Sequence, residues 1–175
     1  MPQNAPDFTA LLRGAQRTAV HMEMRDSYGV GAEAEEFDRF RRTGTVDLDP
    51  TASWWPEWLG LVSETLARGV VLRRARIVSE PVTDYIRWEH AVTPLNLGAG
   101  EQVRWLPRAK ASEIALPGND FWLFDERLAV FNHFTGAGQA AGNEVCEVPA
   151  TLKLCADAFA SVWERAVPHE DYRPG

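Results

Sequence analysis

Four clusters of polar and aromatic residues between Arg73 and Asp125 carry the side chains best suited to chemistry: Arg-Arg-Ala-Arg at 73–76, Glu-Pro-Val-Thr-Asp-Tyr-Ile-Arg-Trp-Glu at 80–89, Trp-Leu-Pro-Arg at 105–108 and Leu-Pro-Gly-Asn-Asp-Phe-Trp-Leu-Phe-Asp at 116–125. A helix starting near Asp84 sets Tyr85 and Glu89 one turn apart on one face, with Trp88 nearby, Arg87 to the side and His90 following. Glu80 and Asp84 then fall where the preceding strand ends, the usual mouth of an open α/β sheet. Carboxylates, Tyr and Arg gathered there suit an amine, a sugar or another protein's arginine, and acid–base work if burial shifts a Glu. The plainer alternative is a network fixing helix to sheet, Glu80 or Glu89 pairing with Arg74, Arg76 or Arg104. Upstream, Val20, Met22 and Met24 alternate with His21, Glu23 and Arg25, the pattern of a half-buried strand. Its polar face is a site wall or, more simply, a solvated face with cross-strand ion pairs.

Motifs for catalysis are missing. None of the six serines stands in a Gly-x-Ser-x-Gly elbow, and His21, His90, His133 and His169 have no zinc-binding spacing. Gly136, Gly138 and Gly142 resemble a nucleotide loop only superficially: no Lys-Ser/Thr follows, and a turn is the better reading. Asp47 and Asp49 are too few for a calcium loop. Cys146 and Cys155 form no Cys-x-x-Cys pattern and read as thiols in a reducing compartment. No catalytic residue, cofactor or metal is therefore assigned.

The elements that must position the clusters follow from periodicity and punctuation. Asp7 caps a helix with Phe8, Leu11, Leu12 and Ala15 inward, and residues 31–42 form an amphipathic helix. Pro56 opens a helix to about Arg68, stopped by Gly69. Trp54, Trp55 and Trp58 at its start are core filling or a docking wedge, core filling being the commoner use. A strand over 70–78, a helix from Thr83 or Asp84 to about Leu95 and a strand from Glu101 make a strand–helix–strand unit with parallel strands. A hairpin turning at Asp125–Arg127, a short strand over 144–148 and a helix from Pro149 to about Val167 complete the chain. The expectation is a single α/β domain over 1–175, with a mixed sheet of about five to six strands. Residues 1–68 are mainly helical with one strand, and 69–175 form the α/β core.

At 175 residues the chain can bury one core, and 45% hydrophobic with 25% charged residues is ordinary for a soluble domain. A net charge of −7 argues against direct nucleic-acid binding. Lys110 and Lys153 are the only lysines, a bias that coding composition explains as well as chemistry does. No apolar run approaches a membrane span and the amino terminus has no signal-peptide pattern, so a cytoplasmic protein is expected.

Several of these motifs occur together in a known family. His-Met-Glu-Met-Arg-Asp-Ser-Tyr at 21–28, residues 76–89, Val-Arg-Trp-Leu-Pro-Arg at 103–108, residues 116–125, and a closing segment with Trp163 and Tyr172 make the chain resemble, over nearly its full length, the actinobacterial domain-of-unknown-function family 6879. The resemblance implies a bacterial cytoplasmic protein, encoded beside helix-turn-helix regulators in Streptomyces and relatives, with no established activity. Residues 70–167 also resemble ligand-sensing domains of such regulators, which look like a degenerate phospholipase D half-fold. That enzyme family needs His-x-Lys; the residues two after the histidines here are Glu23, Val92, Thr135 and Asp171, which speaks against phosphodiester hydrolysis.

The expected function is a non-catalytic regulatory module that binds a helix-turn-helix regulator or a small polar ligand. Its site draws on Glu80, Asp84, Tyr85, Arg87 and Glu89, walled by Arg104, Arg108, Asp120 and Trp122, with Glu23 and Arg25. Arginines there would hold an anionic group and carboxylates a cationic one. An enzyme of secondary metabolism using Glu80 or Glu89 and Tyr85 as acid–base groups is the alternative, and a homodimer sealed by Trp54, Trp55 and Trp58 a third. A deep pocket holding a Glu with a raised pKa favours the enzyme, and a flat Trp-lined patch the binding module.

Overall fold

A computed structural model describes residues 6–29 and 31–175. The strands are β1 (Thr18–Glu23), β2 (Val71–Val78), β3 (Gln102–Pro107), β4 (Asp120–Phe124), β5 (Leu128–Phe134), β6 (Ala140–Cys146) and β7 (Val167–Pro168). They form one mixed sheet in the order β6-β5-β4-β1-β2-β3-β7. The helices are α1 (Phe8–Gly14), α2 (Ala34–Thr43), α3 (Trp55–Ala67), α4 (Asp84–Gly98) and α5 (Pro149–Arg165). The sheet thus has seven strands rather than five to six. The extra one is β7, two residues antiparallel to β3 at an edge, too short to leave a periodic signal.

β1, β2 and β3 run parallel, with α4 as the β2–β3 crossover, and β4 is antiparallel to β1. β1 therefore sits in the middle of the sheet, which ties the helical amino-terminal stretch into the same core. Alternation along the central strands sorts their side chains. Val20, Met22, Ala75, Ile77, Phe121 and Leu123 pack on one face against Cys155, Phe159 and Val162 of α5. Ala19, Leu72, Trp122 and Phe124 face the other way, against α1 and α3. His21, Glu23, Arg74, Arg76 and Asp120 share the second face by strand parity, so a mostly apolar interior receives a patch of charge at the parallel strands' carboxyl ends. No helix among the described residues is long and apolar enough to cross a membrane.

Candidate functional site

Register places the charged side chains side by side: His21 lies opposite Arg74 on β2 and Trp122 on β4, and Glu23 lies opposite Arg76. Glu23 accepts from Arg74 Nη1 at 2.6 Å and from Arg76 Nε at 2.5 Å. Arg74 Nε also donates to Glu101 Oε1 at 2.6 Å, whose other oxygen accepts from Asn96 Nδ2 at 2.8 Å. Arg76 Nη1 donates to Thr93 Oγ1 at 2.8 Å, and its Nη2 stands 3.5 Å from Glu89 Oε1. Glu23, Arg74, Arg76, Glu89 and Glu101 are all buried. Burying two guanidinium groups is tolerable only because carboxylates surround them. The arginines outweigh burial at Glu23 and hold its carboxyl far below the usual range.

Above this floor lies a cavity of about 330 Å³. α4 contributes Tyr85, Trp88 and Glu89; the start of α3 contributes Trp54, Trp55 and Trp58; β1 and β4 contribute His21, Glu23, Asp120 and Trp122. Thr83 caps α4 by accepting from Ile86 N at 3.2 Å, which fixes where Tyr85 and Glu89 begin their turn. Phe8 packs edge-on to Trp122 at 4.8 Å, so α1 braces the wall, and Trp54 stacks on Trp55 at 4.1 Å. The ring of His21 stacks on Trp122 at 4.2 Å.

Protonation follows from burial. Burial raises Glu89 to about 8, with Glu23 and Glu33 adding to it and Arg76 opposing. Burial raises Asp120 to about 6 against the hydrogen bond from Tyr28. Burial likewise lifts Glu33, which accepts from Tyr85 Oη at 2.6 Å. Burial lowers His21 to about 3, so its ring is neutral. Among the described residues, five buried side-chain polar atoms have no hydrogen-bond partner, and four of them belong to cavity-lining residues: His21 Nδ1, Trp54 Nε1, Glu89 Oε2 and Asn132 Oδ1. His21 Nδ1 comes within 3.3 Å of Glu23 Oε1 without hydrogen-bond geometry. Native proteins satisfy nearly all such atoms with protein or water, so these four are placed to meet whatever fills the cavity, water or ligand.

The predicted site residues divide. Glu23, Tyr85, Glu89, Asp120 and Trp122 converge on the cavity. Glu80, Asp84 and Arg87 are exposed and outside it, because they fall on the solvent side of the β2–α4 connection; Glu80 accepts from Tyr172 Oη at 2.8 Å. Arg104 is drawn to the α5 side, where it donates to the Trp163 carbonyl at 2.9 Å and lies over that ring. Arg108 donates to Ser79 Oγ at 3.0 Å and to the Met24 carbonyl, which makes it a clamp between strand ends. Arg25 lies beyond the end of β1, over the Phe134 ring, in an adjoining cleft. Partly buried His21 and buried Glu23 line the cavity rather than a solvated face. The network reading holds for Glu89 with Arg76, while Trp54, Trp55 and Trp58 serve as cavity wall rather than as an exposed wedge. Sequence reasoning set Arg74 and Arg76 among structural partners, gave Glu101 only as the start of a strand, and missed Glu33 and Tyr28 as site residues. The missed signal was strand parity: Arg74 and Arg76 share one face of β2, with Arg73 on the other.

The model of a family described as a domain of unknown function (DUF6879) matches residues 6–174. The chain belongs to this family. No curated protein matches it in sequence. Among solved structures, a phospholipase D family member, Nuc from Salmonella typhimurium, is similar at a TM-score of 0.50 and 11% identity, over 94% of this chain and 88% of that one. TrmBL2, an archaeal chromatin protein, is similar at a TM-score of 0.43 and 14% identity, over 91% of this chain and 48% of that one. The likeness to Nuc shows that this DUF6879 member has a phospholipase D-like fold, and nothing about its chemistry.

Proposed function

We propose that this DUF6879 protein is a non-catalytic ligand-binding module of the cytoplasm that modulates a helix-turn-helix transcription regulator. The observation that supports the ligand-binding part is one ring-walled cavity whose lining includes four residues with a buried, unpartnered polar atom. A ligand that satisfies them relieves a standing desolvation cost, and the aromatic walls add apolar contact. Because those walls dominate, the ligand pairs its polar group with an apolar body. Coupling to a regulator rests on the family resemblance and on the acidic charge of −7, which complements a basic DNA-reading protein.

One observation favours an enzyme: a deep cavity holding Glu89 at about 8, with an unpartnered oxygen, suits a general acid near neutrality. Tyr85 is a poorer second group, since its hydroxyl already donates to Glu33. Capture from native lysate with wild type and with Tyr85→Phe/Glu89→Gln tests both readings. Regulation predicts that wild type retains a helix-turn-helix protein, that small-molecule extract changes its recovery, and that the folded double variant loses that response. If a small molecule is instead released chemically altered, and only by wild type, the enzyme reading replaces it. Equal behaviour of both proteins sinks both readings.

A further inference from the structure

The arginines on the cavity floor are already engaged. Arg74 holds Glu23 and Glu101, and Arg76 holds Glu23, Thr93 and Glu89. An entering anion would have to displace a buried carboxylate from one of them. The carboxyl groups are in excess: Glu23, Glu33, Glu89 and Asp120 line the cavity against the guanidinium groups of Arg74 and Arg76, four to two. His21 adds no positive charge, and Arg25 lines the adjoining clefts instead. Glu23 has both oxygens occupied, and Asp120 accepts from Met24 N at 3.0 Å and from Tyr28. Glu89 differs. Its Oε2 has no partner, and the residue is 6% exposed.

Resting on the ligand-binding reading, we infer that the cavity takes an organic cation, a protonated amine on a ring-bearing apolar body, with its N–H donating to Glu89 Oε2. The indole walls of Trp54, Trp58 and Trp122 supply apolar contact for the body of such a group. A charge-assisted hydrogen bond in this buried setting is stronger than a neutral one. Burial favours the protonated form of Glu89, which faces Glu23 from β1, Arg74 and Arg76 from β2, Glu33 from the segment before α2, and the Tyr28 and Tyr85 hydroxyls. A bound cation draws the proton off. Binding therefore releases a proton near pH 7 and tightens as pH rises from about 6 to 9, while an alkylammonium, like Lys at about 10.4, stays charged.

The test is calorimetry of full-length protein with phenethylamine, phenylacetate and 2-phenylethanol, in two buffers of different ionisation heat. The expected result is phenethylamine binding at least about tenfold tighter than either analogue. Proton release accompanies it, and Glu89→Gln, checked for folding by near-UV circular dichroism, weakens it by about tenfold or more. Should the variant misfold, the wild-type pH profile and proton count decide. Equal or tighter binding of phenylacetate or 2-phenylethanol overturns the cation while leaving the cavity a ligand site. Phenethylamine affinity independent of pH, with no proton released, overturns the role of Glu89. If no probe binds but a native ligand is found, only the chemical class falls; if no ligand of any kind is found, both readings fall.

Discussion

Glu23 is the residue on which the charged floor turns, because both arginines lean on its two oxygens. Glu23→Ala leaves Arg74 and Arg76 buried with a partner missing, and unfolding in denaturant should show a loss of about 3–5 kcal/mol. Glu89 behaves in the opposite sense. Its carboxyl rises from an ordinary 4.5 to about 8 on folding, so the folded state keeps a proton that the unfolded chain gives up. Stability from this group is complete below about pH 4.5 and is lost as pH rises through about 8. Glu89→Gln cannot titrate, so the difference in unfolding free energy, variant minus wild type, should climb between pH 5 and pH 8; a flat difference contradicts the assignment. Five of the eleven predicted site residues line the cavity; the pairing of Tyr85 with Glu89 was legible because helix spacing is a local rule, and that of Asp120 with Trp122 because strand alternation is another. Arg104 and Arg108 were misplaced because each is claimed by a distant carbonyl, of Trp163 and Met24, that no local pattern announces.

At the scale of elements, the start of α4 and its flanking strands were legible to about a residue, while the helix runs on to Gly98 rather than ending near Leu95. Thr83 caps, Gly100 turns and the β-rich runs on either side are strongly marked. Thr83→Ala should cost about 1 kcal/mol by thermal or denaturant unfolding, since Ile86 N loses its acceptor and Tyr85 and Glu89 sit in the freed turn. Gly100 has φ +98° and an added Cβ would stand 2.8 Å from Leu66 Cδ1 on α3. Gly100→Ala should therefore destabilise by more than about 1 kcal/mol, through both backbone strain and contact with α3. The position of β1 between β4 and β2 was not legible. Strand order depends on which edges meet after helices are packed, and nothing in Thr18–Glu23 specifies two different partners. That adjacency brought Asp120 and Trp122 against His21 and Glu23, and with them the cavity.

The whole molecule sets one face of a mixed sheet against α5 as ordinary apolar core and leaves on the other a cavity between charged floor and indole walls. Phe8 from α1 and Trp54, Trp55 and Trp58 at the start of α3 line it, so the amino-terminal third supplies part of its wall. If the cavity holds a ligand, occupancy should raise the melting temperature, because a ligand that binds only the folded chain stabilises it by mass action. The most direct measurement is native mass spectrometry of the protein after incubation with small-molecule extract from its own cells. The expected result is a non-covalent adduct of one defined small molecule, lost in the folded Tyr85→Phe/Glu89→Gln variant. Wild-type protein that carries no adduct, or an adduct kept undiminished by the variant, contradicts it.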